Sequence, residues 1–253
     1  MWWSMAEEDQ KQPGLPSIDV FEYGGKRDGL RQTTNRRLFM QLLVMDGPPG
    51  ADADALAKAA AELLSRRRIP AVIYADVAQP RGLGVLTWTE DPVHFVRAVR
   101  PALADPALAT LTARAGFSML GRTYSSGHEP ELEWTLLSRP VENVLNEVHR
   151  WHVWYPLRRV PAFARLEPHD QSQMLREHAT IGMAYGAQEL AHDIRLACHG
   201  LDTADNEFVI GLVGRELHPL SHLVQAMRKT RQTSEFIEHM GPFFIGYVLH
   251  RVT

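Results

Sequence analysis

The chain spells out one order of segments, strand, helix, strand, strand, helix, strand, and then repeats it. Residues 38–44 form a short apolar run closed by Asp46-Gly47-Pro48-Pro49, which has the length and punctuation of a buried strand. Residues 52–67 read as an alanine-rich helix. Residues 71–77 and 84–89 are strand-like on either side of the turn signal Pro80-Arg81-Gly82, Asp91-Pro92 opens a second helix to about residue 103, and residues 118–124 close the half as a strand. The second half follows suit, with strands at 151–158, 194–201, 208–213 and 243–249 and helices at 170–188 and 219–228. A chain with this grammar must put an antiparallel sheet under a pair of helices, twice. The expected class is therefore α+β, as tandem ferredoxin-like repeats of the dimeric α/β-barrel type. The expected organisation is an N-terminal arm (1–35), a first half (36–125), a linker (126–149) and a second half (150–253).

Composition narrows the function classes. With 253 residues, 45% of them hydrophobic, the chain can build a full core. Its net charge of −3 offers no basic surplus for nucleic acid or an anionic membrane. Cys198 stands alone, which rules out an internal disulfide and any cysteine-rich metal cluster within one chain. No apolar run reaches the length of a membrane span, and the segment Met1-Trp2-Trp3-Ser4-Met5 lacks the basic start and apolar core of a signal peptide, so a cytoplasmic location is expected.

One histidine is conspicuous. Met174, His178, Ile181 and Tyr185 recur at helical spacing and share a stripe that is otherwise apolar. A desolvated imidazole needs a partner, because leaving its nitrogens unpaired costs about 1–3 kcal/mol. Either a hydrogen bond within the core or a metal ion satisfies that need.

Three stretches around it carry a resemblance. Trp154-Tyr155-Pro156-Leu157-Arg158-Arg159, Glu177-His178-Ala179-Thr180-Ile181-Gly182 and Met240-Gly241-Pro242-Phe243-Phe244-Ile245-Gly246, in this order and at this spacing, resemble the chlorite dismutase-like haem proteins, which include chlorite dismutases and peroxide-dependent coproheme decarboxylases. The likeness covers about residues 151–253; the first half matches in element order.

The resemblance implies a cofactor, haem b or coproheme, with His178 as the iron ligand. The family's glutamate behind that histidine falls at Arg231 or Gln232 here. Neither is anionic, which implies a less electron-donating imidazole. Tyr155 resembles the tyrosine that becomes a radical in the decarboxylases, Arg159 stands where the family has a lysine that can pair with a propionate, and Phe163 replaces a tryptophan. The distal position of the family, an arginine in chlorite dismutases and a glutamine in some decarboxylases, corresponds to Ala191. His192 or Asp193 could then face the iron as an acid–base group, and Arg195 shares strand parity with Asp193.

The leading expectation is a hydrogen-peroxide-dependent coproheme decarboxylase of haem biosynthesis. Its partners would be a porphyrin substrate, peroxide and identical subunits, five in the family's usual ring. Chlorite dismutation or peroxidase chemistry is the alternative within enzymes, and a haem carrier or sensor is the alternative outside them.

Overall fold

A computed structural model of the chain describes residues 15–253. Eight strands carry the fold: β1 (Phe39–Asp46), β2 (Ala71–Asp76), β3 (Gly82–Thr89), β4 (Met119–Thr123), β5 (Trp151–Arg159), β6 (His192–Ala197), β7 (Phe208–Gly214) and β8 (Phe244–Val252). Within the first half the order across the sheet is β4-β1-β3-β2, and within the second it is β8-β5-β7-β6. Both halves therefore show the order fourth-first-third-second. The halves join along two antiparallel seams, β2 with β8 and β4 with β6, so every one of these strands has two neighbours and the sheet closes on itself.

Alternation along the strands divides their side chains between two layers. Met40, Leu42 and Val44 of β1 fall in one buried cluster with Tyr74, Leu86, Met119, Trp154, Ile194, Val209 and Phe244, which draws on all eight strands and is the barrel interior. Gly211 of β7 makes room for it, since a Cβ there would lie 2.5 Å from the Trp154 ring. Each half covers the other face of its strands with helices. In the first half, α1 (Ala53–Arg66) is capped by the Asp52 carboxylate, which accepts from the N–H groups of Asp54 and Ala55 at 3.0 and 3.1 Å. It buries Ala57, Ala60, Leu63 and Leu64 against Ile73, Leu83 and Val85.

The second helix of the first half is continuous but not regularly α-helical. It consists of a π turn, Phe95–Val99, followed by a short α2 (Arg100–Leu103). Pro101 cannot donate a backbone hydrogen bond and crowds the preceding turn, and the Arg100 N–H reaches back five residues to the Phe95 carbonyl instead. The same Arg-Pro device recurs in the expected linker. Trp134–Ser138 is a π turn leading into α3 (Arg139–Leu145), whose Val144 belongs to the barrel core, so this segment contributes a helix that the strand-and-helix grammar passes over.

Residues 125–131 do cross the surface, but not alone. Of the expected N-terminal arm, residues 1–14 lie outside those described, and residues 22–34 form a hairpin of Glu22–Arg27 and Leu30–Thr34. Asp28 and Gly29 at its tip both have positive φ, 52° and 81°, as a tight two-residue hairpin turn requires. Gln32 and Gly25 bind this hairpin to the carbonyls of Glu129 and Pro130.

The second half carries α4 (Pro168–Ala187), α5 (Leu217–Met227) and α6 (Arg231–Phe236). Among the described residues, no helix is long and apolar enough to cross a membrane.

Candidate functional site

The site lies between α4 and the outward face of β5, β6 and β7. Trp154 and His152 point into the barrel, where the Tyr74 hydroxyl lies 2.8 Å from His152 Nδ1. Val153 and Tyr155 therefore point the other way, into a cluster that also takes in Leu212, Leu220 and Leu223, with Ile181, Tyr185, Ile210 and Phe243 packed around it. Strand register extends this face sideways. Tyr155 pairs across the sheet with Ile210, and Ile210 pairs with Arg195; Val153 pairs with Leu212, and Leu212 with Asp193. Tyr155, Arg195 and Asp193 thus share the layer that α4 covers.

His178 enters that layer from above. Its Nδ1 is buried and has no hydrogen-bond partner, and so is the Oε1 of Gln232 on α6. The two helices meet at this level, where Glu177 Oε2 accepts from the Arg231 N–H at 3.3 Å. Burial holds the His178 imidazole below its ordinary pKa, with the Asp193 charge opposing the shift and Arg195 adding to it. A neutral imidazole with a free nitrogen is the form that ligates iron or another metal. Helix α4 packs sparsely for its length, because Met174 is the one residue of its twenty that is buried.

Asp193 sits between two guanidinium groups. Arg139 Nη2 lies 2.5 Å from its Oδ1 and Arg195 Nε 3.1 Å from its Oδ2. Burial alone would raise the carboxyl, but Arg195 and Arg139 hold it below the usual carboxylate range. Asp193 is therefore an anion at neutral pH. The Tyr155 phenol moves upward through burial, with the Asp193 charge adding to the shift, so it keeps its proton. Its ring stacks on Phe243, with centroids 4.6 Å apart.

The remaining expected residues take varied places. Ala191 is buried in the turn that leads from α4 into β6. Phe163 is buried against Met174 and Phe236, where it supports the start of α4. Arg159 has an internal partner, since its Nε donates to Glu207 Oε2 at 2.9 Å and its guanidinium lies over the rings of Phe163 and Phe208. His192 does not join the others. Strand parity turns it away from Asp193, and its Nε2 lies 3.1 Å from Glu189 Oε2 beside the ring of His149. Arg139 escapes sequence reasoning because α3 falls within the expected linker; Leu132, Leu136 and Val144, all buried, carry a helical signal there. Tyr124 escapes it as well; burial raises its hydroxyl pKa, and the nearby Arg195 and Arg159 charges oppose that shift.

Comparisons with known proteins bear on the whole assembly. The structure of chlorite dismutase from Candidatus Nitrospira defluvii in complex with imidazole aligns over 86% of this chain and 93% of that one, with a TM-score of 0.66 and 13% identity. A heme-binding protein from Thermus thermophilus superposes with a TM-score of 0.63 over 85% of this chain and 92% of that one, at 17% identity. At such identities these likenesses establish the fold. No curated protein sequence matches significantly. The family model for chlorite dismutase matches residues 85–249, well over half of the chain and including the whole of α4 and β5 to β7, and the chain therefore belongs to the chlorite dismutase family.

Proposed function

We propose that this protein is a haem-binding oxidoreductase that uses hydrogen peroxide to decarboxylate coproheme, with the porphyrin held between α4 and the outer face of the second-half sheet. The two halves, 36–125 and 150–253, are read as tandem ferredoxin-like repeats, and the site belongs to the second. The observation that carries the proposal is the shared layer of His178 and Tyr155: a half-buried imidazole on the covering helix, whose Nδ1 is buried and unpartnered, and a protonated phenol on the strand beneath it.

The residues fit the group. His178 offers one ring nitrogen to iron while its other nitrogen, buried and unpaired, needs an acceptor; the equally unpaired carbonyl oxygen of Gln232 supplies one by chemistry. Bound iron porphyrin would supply the oxidising power taken from peroxide. Overall, each propionate, one proton and one peroxide give a vinyl group, carbon dioxide and two waters. In that reaction Tyr155 donates its phenolic hydrogen and takes one back from the propionate side chain, which its raised pKa favours by keeping the O–H intact. Asp193, anionic between its two arginines, can accept and return a proton from peroxide. Arg195 places positive charge on the same face, and Arg159 can turn from Glu207 to a carboxylate of the substrate. The family's habit of ring assembly makes a homo-oligomer, a pentamer foremost, part of the proposal.

The test is to add coproheme to the purified protein, titrate with hydrogen peroxide and follow the mass of the porphyrin. Two successive losses of the elements of formic acid are expected, and Tyr155→Phe should bind the porphyrin but lose neither. A Tyr155→Phe protein that still forms vinyl groups would remove the tyrosine's role. Binding without mass loss in the native protein would favour a carrier or sensor.

Arg195 favours a second reading. Chlorite dismutation needs a cation over the open iron face, and strand register puts Arg195 on the layer facing α4. Oxygen release from chlorite, lost in Arg195→Gln, would establish it.

A further inference from the structure

We propose that His149, Glu189 and His192 form a binding site for a divalent transition metal, with zinc the best match to the ligand set. The site is separate from the proposed haem pocket and does not depend on that reading. One potential ligand atom from each residue lies within 4.8 Å of the other two, and it is the one such group among the described residues. His192 Nε2 and Glu189 Oε2 are already 3.1 Å apart. Two ligands on a tetrahedral ion with bonds of about 2.0–2.1 Å stand roughly 3.3–3.5 Å apart, so a small adjustment of the His149 ring, 4.9 Å from that of His192, completes the set.

Three features prepare this cluster. His149 Nδ1 lies 3.1 Å from the Asn143 carbonyl oxygen, and the hydrogen bond it donates there fixes the tautomer and leaves Nε2 as the free electron pair, the arrangement that metal-bound imidazoles commonly show. Burial, with a further contribution from His192, keeps that ring below its ordinary pKa, so protons compete weakly for it near neutral pH. Glu189 occupies an unusual place. The Leu190 N–H bonds to the Tyr185 carbonyl and the Glu189 N–H to the Gly186 carbonyl, which is the helix-ending motif that favours glycine, yet Glu189 adopts φ of 55° there. The side chain so placed is mostly exposed, which leaves the fourth position of an ion open to water or an exogenous ligand.

The nearby cation is held apart. Arg251 donates to the carbonyls of Val144, Asn146 and His149, so its guanidinium is committed to backbone rather than to Glu189. Along the chain the cluster lies past the end of α4, eleven residues beyond His178, or about 16 Å at helical rise. His192 faces away from the layer that holds Tyr155 and Asp193, which explains why the histidine expected to serve the haem iron is found with different company. An ion here would tie the start of β5 to the junction between α4 and β6.

The experiment uses the full chain without tag histidines, stripped with a chelator and dialysed, then titrated with zinc chloride by calorimetry and with cobalt chloride by visible absorption. One zinc per chain, a tetrahedral cobalt spectrum and a rise in melting temperature on adding zinc are expected. Glu189→Gln and His192→Ala should each weaken zinc by at least about tenfold and abolish the zinc-dependent rise, without lowering the melting temperature of the metal-free protein. His222→Ala, on the exposed histidine pair of α5, should leave the affinity unchanged. Absence of zinc binding in the native chain, or equal affinity in Glu189→Gln and His192→Ala, would overturn the proposal.

Discussion

The two halves of the barrel share a strand order and differ in how their first helices meet the sheet. Helix α1 has 14 residues and buries Ala57, Ala60, Leu63 and Leu64, while α4 has 20 and buries Met174 alone. Beneath α1 the strand faces are apolar, with Ile73, Leu83 and Val85; beneath α4 the equivalent face carries Tyr155, Asp193 and Arg195. The difference is chemical rather than topological. Small and branched apolar side chains close the first half on itself, whereas the second sets Tyr155, Asp193 and Arg195 beside an apolar cluster, with an unpartnered imidazole nitrogen in the same layer. The proposed function places binding in the second half and leaves the first to packing.

The comparison breaks most visibly in the first half. Leu64 of α1 is fully buried, and Leu64→Ala should cost about 2–5 kcal/mol, read as a drop in the urea midpoint with an unchanged slope. A loss below about 1 kcal/mol would mean that α1 is no better packed than α4. The converse variant is His178→Ala. It removes a nitrogen that has no partner in the protein, so the stability of the haem-free chain should change by less than about 1 kcal/mol, while haem affinity falls by more than about 100-fold and the axial imidazole signature disappears. An unchanged haem spectrum would sink the ligand assignment.

The seam between the halves sets the response to acid. His152 is buried beside Tyr74 of the other half, and burial takes its pKa down to about 3; His149 and His178 are also lowered, chiefly by burial. A histidine depressed in the folded state binds its proton more readily when unfolded. Stability from these groups is full above about pH 6.5 and is lost as the pH falls toward the folded values, at up to about 1.4 kcal/mol per pH unit for each group. Urea midpoints at pH 7.5, 6.0 and 5.0 should decline, and His152→Gln should flatten the decline. A native protein equally stable at pH 7.5 and 5.0 would contradict the buried neutral assignment.

Much of this is legible in the sequence because it rests on periodicity. The eight strands and the helices α1, α4 and α5 follow from apolar runs, alternation and capping signals, and their ends differ from expectation by few residues. What escapes depends on local backbone chemistry or on register. Asp28-Gly29 is a strong hairpin signal masked by a polar, glycine-rich stretch. The π turns before Pro101 and Pro140 are invisible to helical spacing, which assumes a constant number of residues per turn. His178 is expected from helical spacing and family likeness, and Tyr155 from family likeness. The choice between His192 and Asp193 needs the pleat of β6, which fixes one of two adjacent residues toward α4 and sends the other to His149.

The smallest expected effect tests the finest part of the contrast, the acceptor behind His178. Gln232 Oε1 and His178 Nδ1 are both buried without partners, and in the proposed site the amide would offer a neutral carbonyl where a carboxylate would make the imidazole more electron-donating. Gln232→Glu should draw the Nδ1 proton toward an anion, make the imidazole a stronger donor to bound iron and lower the midpoint potential of the haem-loaded protein. In the haem-free chain the same substitution should raise the His178 pKa, because a nearby negative charge favours the imidazolium, and NMR titration of the ring would read it directly. If neither the potential nor the ring pKa moves, Gln232 does not stand behind His178, and the orphaned nitrogen must find its acceptor elsewhere on α6 or in solvent. If both move together, the second half owes its chemistry to a single amide where the closed half has only packing.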